Sequence, residues 1–285
     1  MNAAKNPVYR KRLFWHRVGM LLSVSAMSVG LIALLWILAT LLSKGFSAIN
    51  LDIFVADTPI PDAVGGGLRN AIVGSLMMVG VSTLVATPIG ILAGTYLAEY
   101  GEESKMAQVT RFVTDVMLSA PSIVIGMFIW AIYVDKVKHF SGYAGSLALA
   151  LIAIPVVVRT TDNMLKLVPN SLLEAAYALG APRWKVAMLV RLRAVKAGVM
   201  TGVLLAVARI AGETAPLLFT AFNSQFFSSD MNQAIANLPV IMNNYAMSAF
   251  DNWRDLAWGG ALIVTFSVLA LNILSRTVFA QKAPK

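Results

Sequence analysis

The 285-residue chain contains no cysteine and only two histidines. The first absence excludes disulfides, thiolate catalysis and cysteine-ligated metals. His16 and His139 are isolated in basic stretches far apart in sequence, and they read as neither metal ligands nor general bases. Charge is also scarce. Asp, Glu, Lys and Arg make up 13% of the chain, against about 25% in a soluble domain. Apolar residues reach 58%, with a mean hydropathy of +0.72, and they lie in long blocks rather than amphipathic stripes. An ordinary water-soluble domain is therefore excluded. Nucleic acid is not the expected reason for the net charge of +9; what matters is where the positive charges fall relative to the blocks. The chain has no Gly-x-x-x-x-Gly-Lys-Ser/Thr, so it has no phosphate-binding loop for hydrolysing ATP itself. Without cysteine, adjacent histidines or paired carboxylates inside a block, it also lacks the groups of a membrane-embedded enzyme. No cofactor and no metal are expected.

Six apolar segments are long enough to cross a hydrocarbon core, which takes about 20 residues. They run from Val18 to Leu42, Ala71 to Ala98, Phe112 to Val134, Ser141 to Val158, Ala197 to Phe222 and Leu256 to Ser275. Helix is the only reasonable state, because the strict alternation of a membrane barrel is missing and an open sheet edge cannot be satisfied in lipid. The first block is too long for a signal-peptide core and reads as a retained helix. The fold class expected is thus an all-α integral membrane protein with about six transmembrane helices.

Lys and Arg give the orientation. The N-terminal tail, the loop after the second block, the segment Arg159–Lys196 and the C-terminal tail carry 17 of them, and the intervening loops carry five: Lys44, Arg69, Lys136, Lys138 and Arg254. The richer side is expected in the cytoplasm, with both termini. Of the outer loops, Ser43–Asn70 holds Pro59, Pro61 and a glycine triplet at 65–67, read as the approach to a helix rather than a phosphate wrap. The loop Asn223–Asp255 is rich in asparagine and carries Phe226, Phe227, Tyr245, Phe250 and Trp253, read as interfacial anchors. Pro88, Pro121 and Pro155 fall inside blocks and are expected to bend them, either as packing shape or to form a pathway.

Arg159–Lys196 is too long for a connector and too polar to span. Ser171-Leu172-Leu173-Glu174 has the spacing of a capping box. Gly180 is placed to end that helix, and Pro182 to begin the next. Two short helices with a sharp bend are predicted, small at Ala175, Ala176 and Ala178, so that another surface can approach closely. An amphipathic hairpin lying on anionic membrane lipid is the alternative.

Glu174-Ala175-Ala176, three residues, then Gly180 resembles the EAA loop of ABC importer permeases. Where that family ends the motif with Ile-x-Leu-Pro, this chain has Val190-Arg191-Leu192-Arg193. Ala120–Gly126, Val158–Met164 and Arg209–Phe219 further resemble the phosphate-specific permease subunits, with similarity from about Asn70 to Phe279 and weaker cover of the first helix. The resemblance implies a type I importer permease fold over residues 70–280, with a coupling segment at about 168–192 in which Glu174, Ala175, Ala176 and Gly180 meet an ATPase. Residues 1–69 form a tail, first helix and outer loop, and 281–285 a second tail. It implies four kinds of partner: a second, different permease subunit, a cytoplasmic ATPase dimer, a periplasmic phosphate-binding protein, and phosphate itself. A permease for another oxyanion or small solute fits the general motif equally.

Arg209 falls near the middle of the fifth block, where an isolated arginine costs about 2.5–3.5 kcal/mol on insertion scales. Glu213, four residues on, is expected one turn away on the same face. The pair either neutralises itself for insertion or serves an oxyanion. A guanidinium binds phosphate oxygens in bidentate fashion, and a carboxylate accepts from the O–H that phosphate keeps at neutral pH and sulfate lacks. Arg159, at the inner end of the fourth block, is either a second positive stop or a topology anchor.

Overall fold

The computed structural model describes residues 7–61, 65–101 and 104–278, and every regular element among them is helical. The chain opens with α1 (Pro7–Ala48), then the short α2 (Asp52–Val55) and the long α3 (Arg69–Tyr100). α4 (Lys105–Ser119) and α5 (Ser122–Ile129) follow; α5 runs on through a π-helical stretch, Trp130–Val134, into α6 (Asp135–Val137). Next come α7 (Gly142–Leu165), α8 (Asn170–Ala178) and α9 (Arg183–Lys185). A second π-helical stretch, Val186–Arg191, joins α9 to α10 (Leu192–Ala194). The last four are α11 (Lys196–Ile210), α12 (Ala215–Leu218), α13 (Leu238–Ala246) and α14 (Asp251–Val278).

α3 and α7 form the centre of the structure and pack along most of their length. They run parallel. A Cβ placed on Gly90 would come within 2.6 Å of Val157, and one on Gly94 within 2.6 Å of Thr161. This is the small-xxx-small contact that lets two backbones approach inside a membrane. Ser82 Oγ donates to Ser146 O across the same seam at 2.8 Å. α11 packs antiparallel on α7, with Gly198 against Met164 and Gly202 against Thr160. α1 lies chiefly along α14. Most of its apolar side chains face outward, as expected of a helix solvated by lipid.

Among the described residues, four helices are long and apolar enough to cross a membrane: α1, α3, α7 and α14. They contain the first, second, fourth and sixth predicted spans. The other two predicted spans are not continuous helices. The third breaks at Ala120-Pro121, where α4 and α5–α6 meet at 106°. Pro121 carries no N–H, and it forces Ala120 into an extended conformation (φ −67°, ψ 135°). Counted as one, that bent pair makes a fifth span. The fifth predicted span ends early, because α11 stops at Ile210. Its 15 residues reach about 22 Å, short of the ~30 Å hydrocarbon core. Gly212 is a poor helix former, and Pro216 has no N–H to return to it.

Pro88 and Pro155, by contrast, sit inside helices that continue past them. The region expected to be a loop at Asn223–Asp255 contains α13 and the start of α14. Asn237, fully buried, caps α13 by accepting from Val240 N and donates to Phe222 O. Tyr245 is 3% exposed and stacks on Trp253 at 4.4 Å, so both belong to a core cluster with Ile53, Leu68 and Leu256 rather than to an interfacial belt. Phe226 does stand exposed. Gly65 and Gly66 have positive φ, and the chain folds back over α2 before α3 begins. Lys5, Lys282 and Lys285, counted above for orientation, lie outside the described residues.

Candidate functional site

The hairpin forms as its sequence predicts at its turn and differs at its start. α8 ends in a Schellman motif: Ala181 N donates to Ala176 O, and Gly180 N to Tyr177 O. Gly180 has φ +80°, the left-handed conformation that glycine alone enters without steric cost. The capping box is absent. Pro169 occupies the cap position, α8 starts at Asn170, and no side chain caps it. Ser171 is thus already inside the first turn; Pro169, with φ −61° and ψ 138°, is the last extended residue before the helix. Pro182 stands one residue before α9 rather than within it. No residue of α8 is buried, and Glu174 makes no ion pair or hydrogen bond with a described residue. Leu179 at the tip is 89% exposed, Trp184 63% and Leu172 43%. Large apolar side chains on an exposed helical hairpin form a surface that fits a partner.

Charged groups are concentrated where this hairpin meets the bundle. Arg191, on the second π-helical stretch, is 9% exposed. Its Nη1 pairs with Glu99 at 2.9 Å and donates to Ala98 O at 3.2 Å, while Nε donates to Leu165 O at 3.0 Å. From α4, Arg111 donates to Leu97 O and Gly101 O and faces Asp162 at 3.6 Å. Asp162, 1% exposed, also holds Lys166 at 2.7 Å. The two arginines thereby place positive charge on carbonyls at the C-terminal ends of α3 and α7. Sequence reading did not single out this cluster. The Asp162–Lys166 spacing was visible, but Arg191 and Glu99 stand 92 residues apart.

The second assembly surrounds Arg209. α5 and α12 follow the two helix breaks and pack on each other; Gly126 touches Pro216 so closely that a Cβ there would lie 2.5 Å from Pro216 Cα. Interrupted helices at membrane depth are tolerated where protein covers the freed backbone or where they line a cavity. The antiparallel register of α11 on α7 puts Arg209 level with about Ala153, halfway along α7. The expected placement of Glu213 on the same helical face as Arg209 is not found. α11 ends one residue after Arg209, so Glu213 lies in the break instead of one helical turn above it. No acid among the described residues is within ion-pair distance of Arg209, and Glu213 likewise has no basic partner. Arg209 is exposed on the surface of the chain and Glu213 half-buried. In this structure the two side chains do not form an ion pair with each other.

Arg159 belongs to neither assembly. α7 extends past it to Leu165, so it does not stand at the inner end of its helix, and it pairs with Asp115 of α4 at 3.2 Å. It lies about six residues, or ~9 Å along the axis, from the level of Arg209. Its ion pair is well exposed.

Residues 86–285 match the family described as binding-protein-dependent transport system inner membrane component. The chain is 56% identical to the phosphate transport system permease protein PstA of Haemophilus influenzae over 275 residues, covering 95% of this chain and 97% of that one. It is 53% identical to the protein of the same name from Yersinia pestis, covering 96% and 94%. In structure it is similar to a chain of the inward-facing MetNI methionine ABC transporter, with a TM-score of 0.61 at 17% identity, over 73% of this chain and 93% of that one. The shared fold is that of a type I ABC importer permease. The chain is a multi-pass inner-membrane protein that belongs to the binding-protein-dependent permease family, in the branch formed by the PstA proteins.

Proposed function

We propose that this chain is one permease subunit of an ATP-driven phosphate importer. It forms half of the translocation pathway and leaves ATP hydrolysis to a separate subunit. The observation that carries the reading is Arg209: a guanidinium at mid-depth of the bundle, exposed on the chain's surface, beside interrupted backbone and without a carboxylate partner. An unpaired cation at that depth is costly unless something anionic meets it. A phosphate passing between two permease subunits supplies that anion, and the planar fork suits its oxygens. Glu213 is near enough in sequence to accept from the O–H that distinguishes phosphate from sulfate. Both termini, the hairpin and its basic neighbours lie on the cytoplasmic side in this reading, as the Lys/Arg distribution requires. The partners are a second, different permease subunit, a cytoplasmic ATPase dimer docked on Glu174–Gly180 and an external phosphate-binding protein.

The deciding experiment is phosphate uptake by Arg209→Leu, normalised to its amount in the membrane, with sulfate and molybdate as competitors against wild type. Loss of uptake with normal insertion and ATPase association supports the reading. Wild-type uptake by the variant overturns the role of Arg209, and preferential competition by molybdate overturns the choice of phosphate. Reporter fusions after Lys44, Lys138 and Ser229 are expected to read periplasmic.

A further inference from the structure

α8 hangs outside the bundle. None of its residues is buried, and it packs mainly on the π-helical stretch Val186–Arg191. A push on the hairpin therefore reaches the bundle chiefly through that stretch. Within it, Val186 and Ala187 are buried, and the one charged side chain turned inward is Arg191. Its guanidinium binds three groups on two helices: Glu99 and Ala98 O at the end of α3, and Leu165 O at the end of α7. α3 and α7 are the pair that packs most extensively. On its other side the last turn of α3 is held by Arg111 of α4, and α4 leads to the 106° bend and so to α5 against α12.

The geometry points to Arg191 as a positioning residue for transport: a strut, with Glu99 as its footing, that makes the hairpin move as one body with α3 and α7. This rests on the hairpin being the ATPase contact. The planar fork is what allows one side chain to hold a carboxylate and two carbonyls together. A lysine retains the charge and satisfies fewer of these groups.

The test uses the complete importer in vesicles, with ATPase, second permease and binding protein, and reads phosphate carried per ATP hydrolysed. Arg191→Ala is expected to keep the ATPase bound and hydrolysing while this ratio falls by about fivefold or more, the lower end of ordinary coupling between sites. Arg191→Lys and Glu99→Gln are expected to fall between it and wild type. A reduced amount of protein with an unchanged ratio means that Arg191 is a structural pin only, and overturns the strut. If Arg191→Ala does not assemble, a wild-type ratio in both Arg191→Lys and Glu99→Gln overturns it equally. Because the chain has no native cysteine, a single Leu179→Cys reports the hairpin's contact directly. Absence of a cross-link to the ATPase overturns the docking reading and the strut with it. A cross-link accompanied by an unchanged ratio in Arg191→Ala overturns the strut alone.

Discussion

Arg191 and Arg209 are eighteen residues apart in a chain with few charges, and their surroundings are opposite. Arg191 is buried at the hairpin end of the bundle with a carboxylate and two helix-terminal carbonyls around it. Arg209 stands at mid-depth, exposed and without an acid. A buried charge bound to a carboxylate and two carbonyls of its own chain holds that chain together. A charge halfway along the bundle with no ion pair fits the role proposed for Arg209, that of meeting an anion from outside. In a membrane protein the contrast is informative because lipid supplies no partner to either.

The largest effect is expected where the open charge is removed. Arg209→Leu should insert normally and lower phosphate uptake at least about tenfold, the loss of one charge-assisted contact of ~1.5–3 kcal/mol. Unchanged uptake would erase the distinction between the two arginines. The cluster around Asp162 should respond in stability instead. Asp162→Asn leaves Arg111 and Lys166 facing a neutral group, and is expected to lower resistance to thermal unfolding in detergent by about 2 kcal/mol. This is below the 3–5 kcal/mol of a fully buried pair, because both cations are partly exposed. A variant as stable as wild type would mean that the cluster is decorative.

Smaller changes sharpen the role of the hairpin between them. Gly180→Val places a β-branched residue at φ +80° in otherwise open space. The strain of about 1–2 kcal/mol should deform the turn, and uptake per ATP should fall while insertion persists. The smallest effect is expected at Glu174→Ala. With no capping bond to lose, its unfolding should stay within about 0.5 kcal/mol of wild type, so any larger defect in uptake at this position reports the partner surface and not the helix.

Part of the site was legible residue by residue. The turn at Gly180 followed from local sequence, because a positive φ, a run of small residues before it and a proline after it are local requirements. Arg209 stood out because a charge inside an apolar block is costly wherever the block packs. The misreadings of breaks and aromatics share one cause. Pro121, Gly212 and Pro216 were legible as helix breakers, yet whether a break opens or is bridged depends on neighbours. Pro88 and Pro155 stay within helices that the α3–α7 seam holds together, while the other breaks open where α5 and α12 cover them. Tyr245 and Trp253 looked interfacial by composition, but α13 folds them into a core.

What the sequence determined by itself is what solvent and backbone impose everywhere: helices in the apolar blocks, a charge asymmetry between the two ends and a reversal at Gly180. Each depends on hydrogen bonds within a few residues or on transfer free energies that add along a segment. The tertiary structure alone decided which charges are spent on the chain itself. Arg191 finds Glu99 across 92 residues because α3, α7 and the hairpin stretch end at one place, and Arg209 finds no acid because α11 stops before Glu213 can turn back toward it. Pairing is a matter of distance in space, and in this fold that distance is set by where helices end.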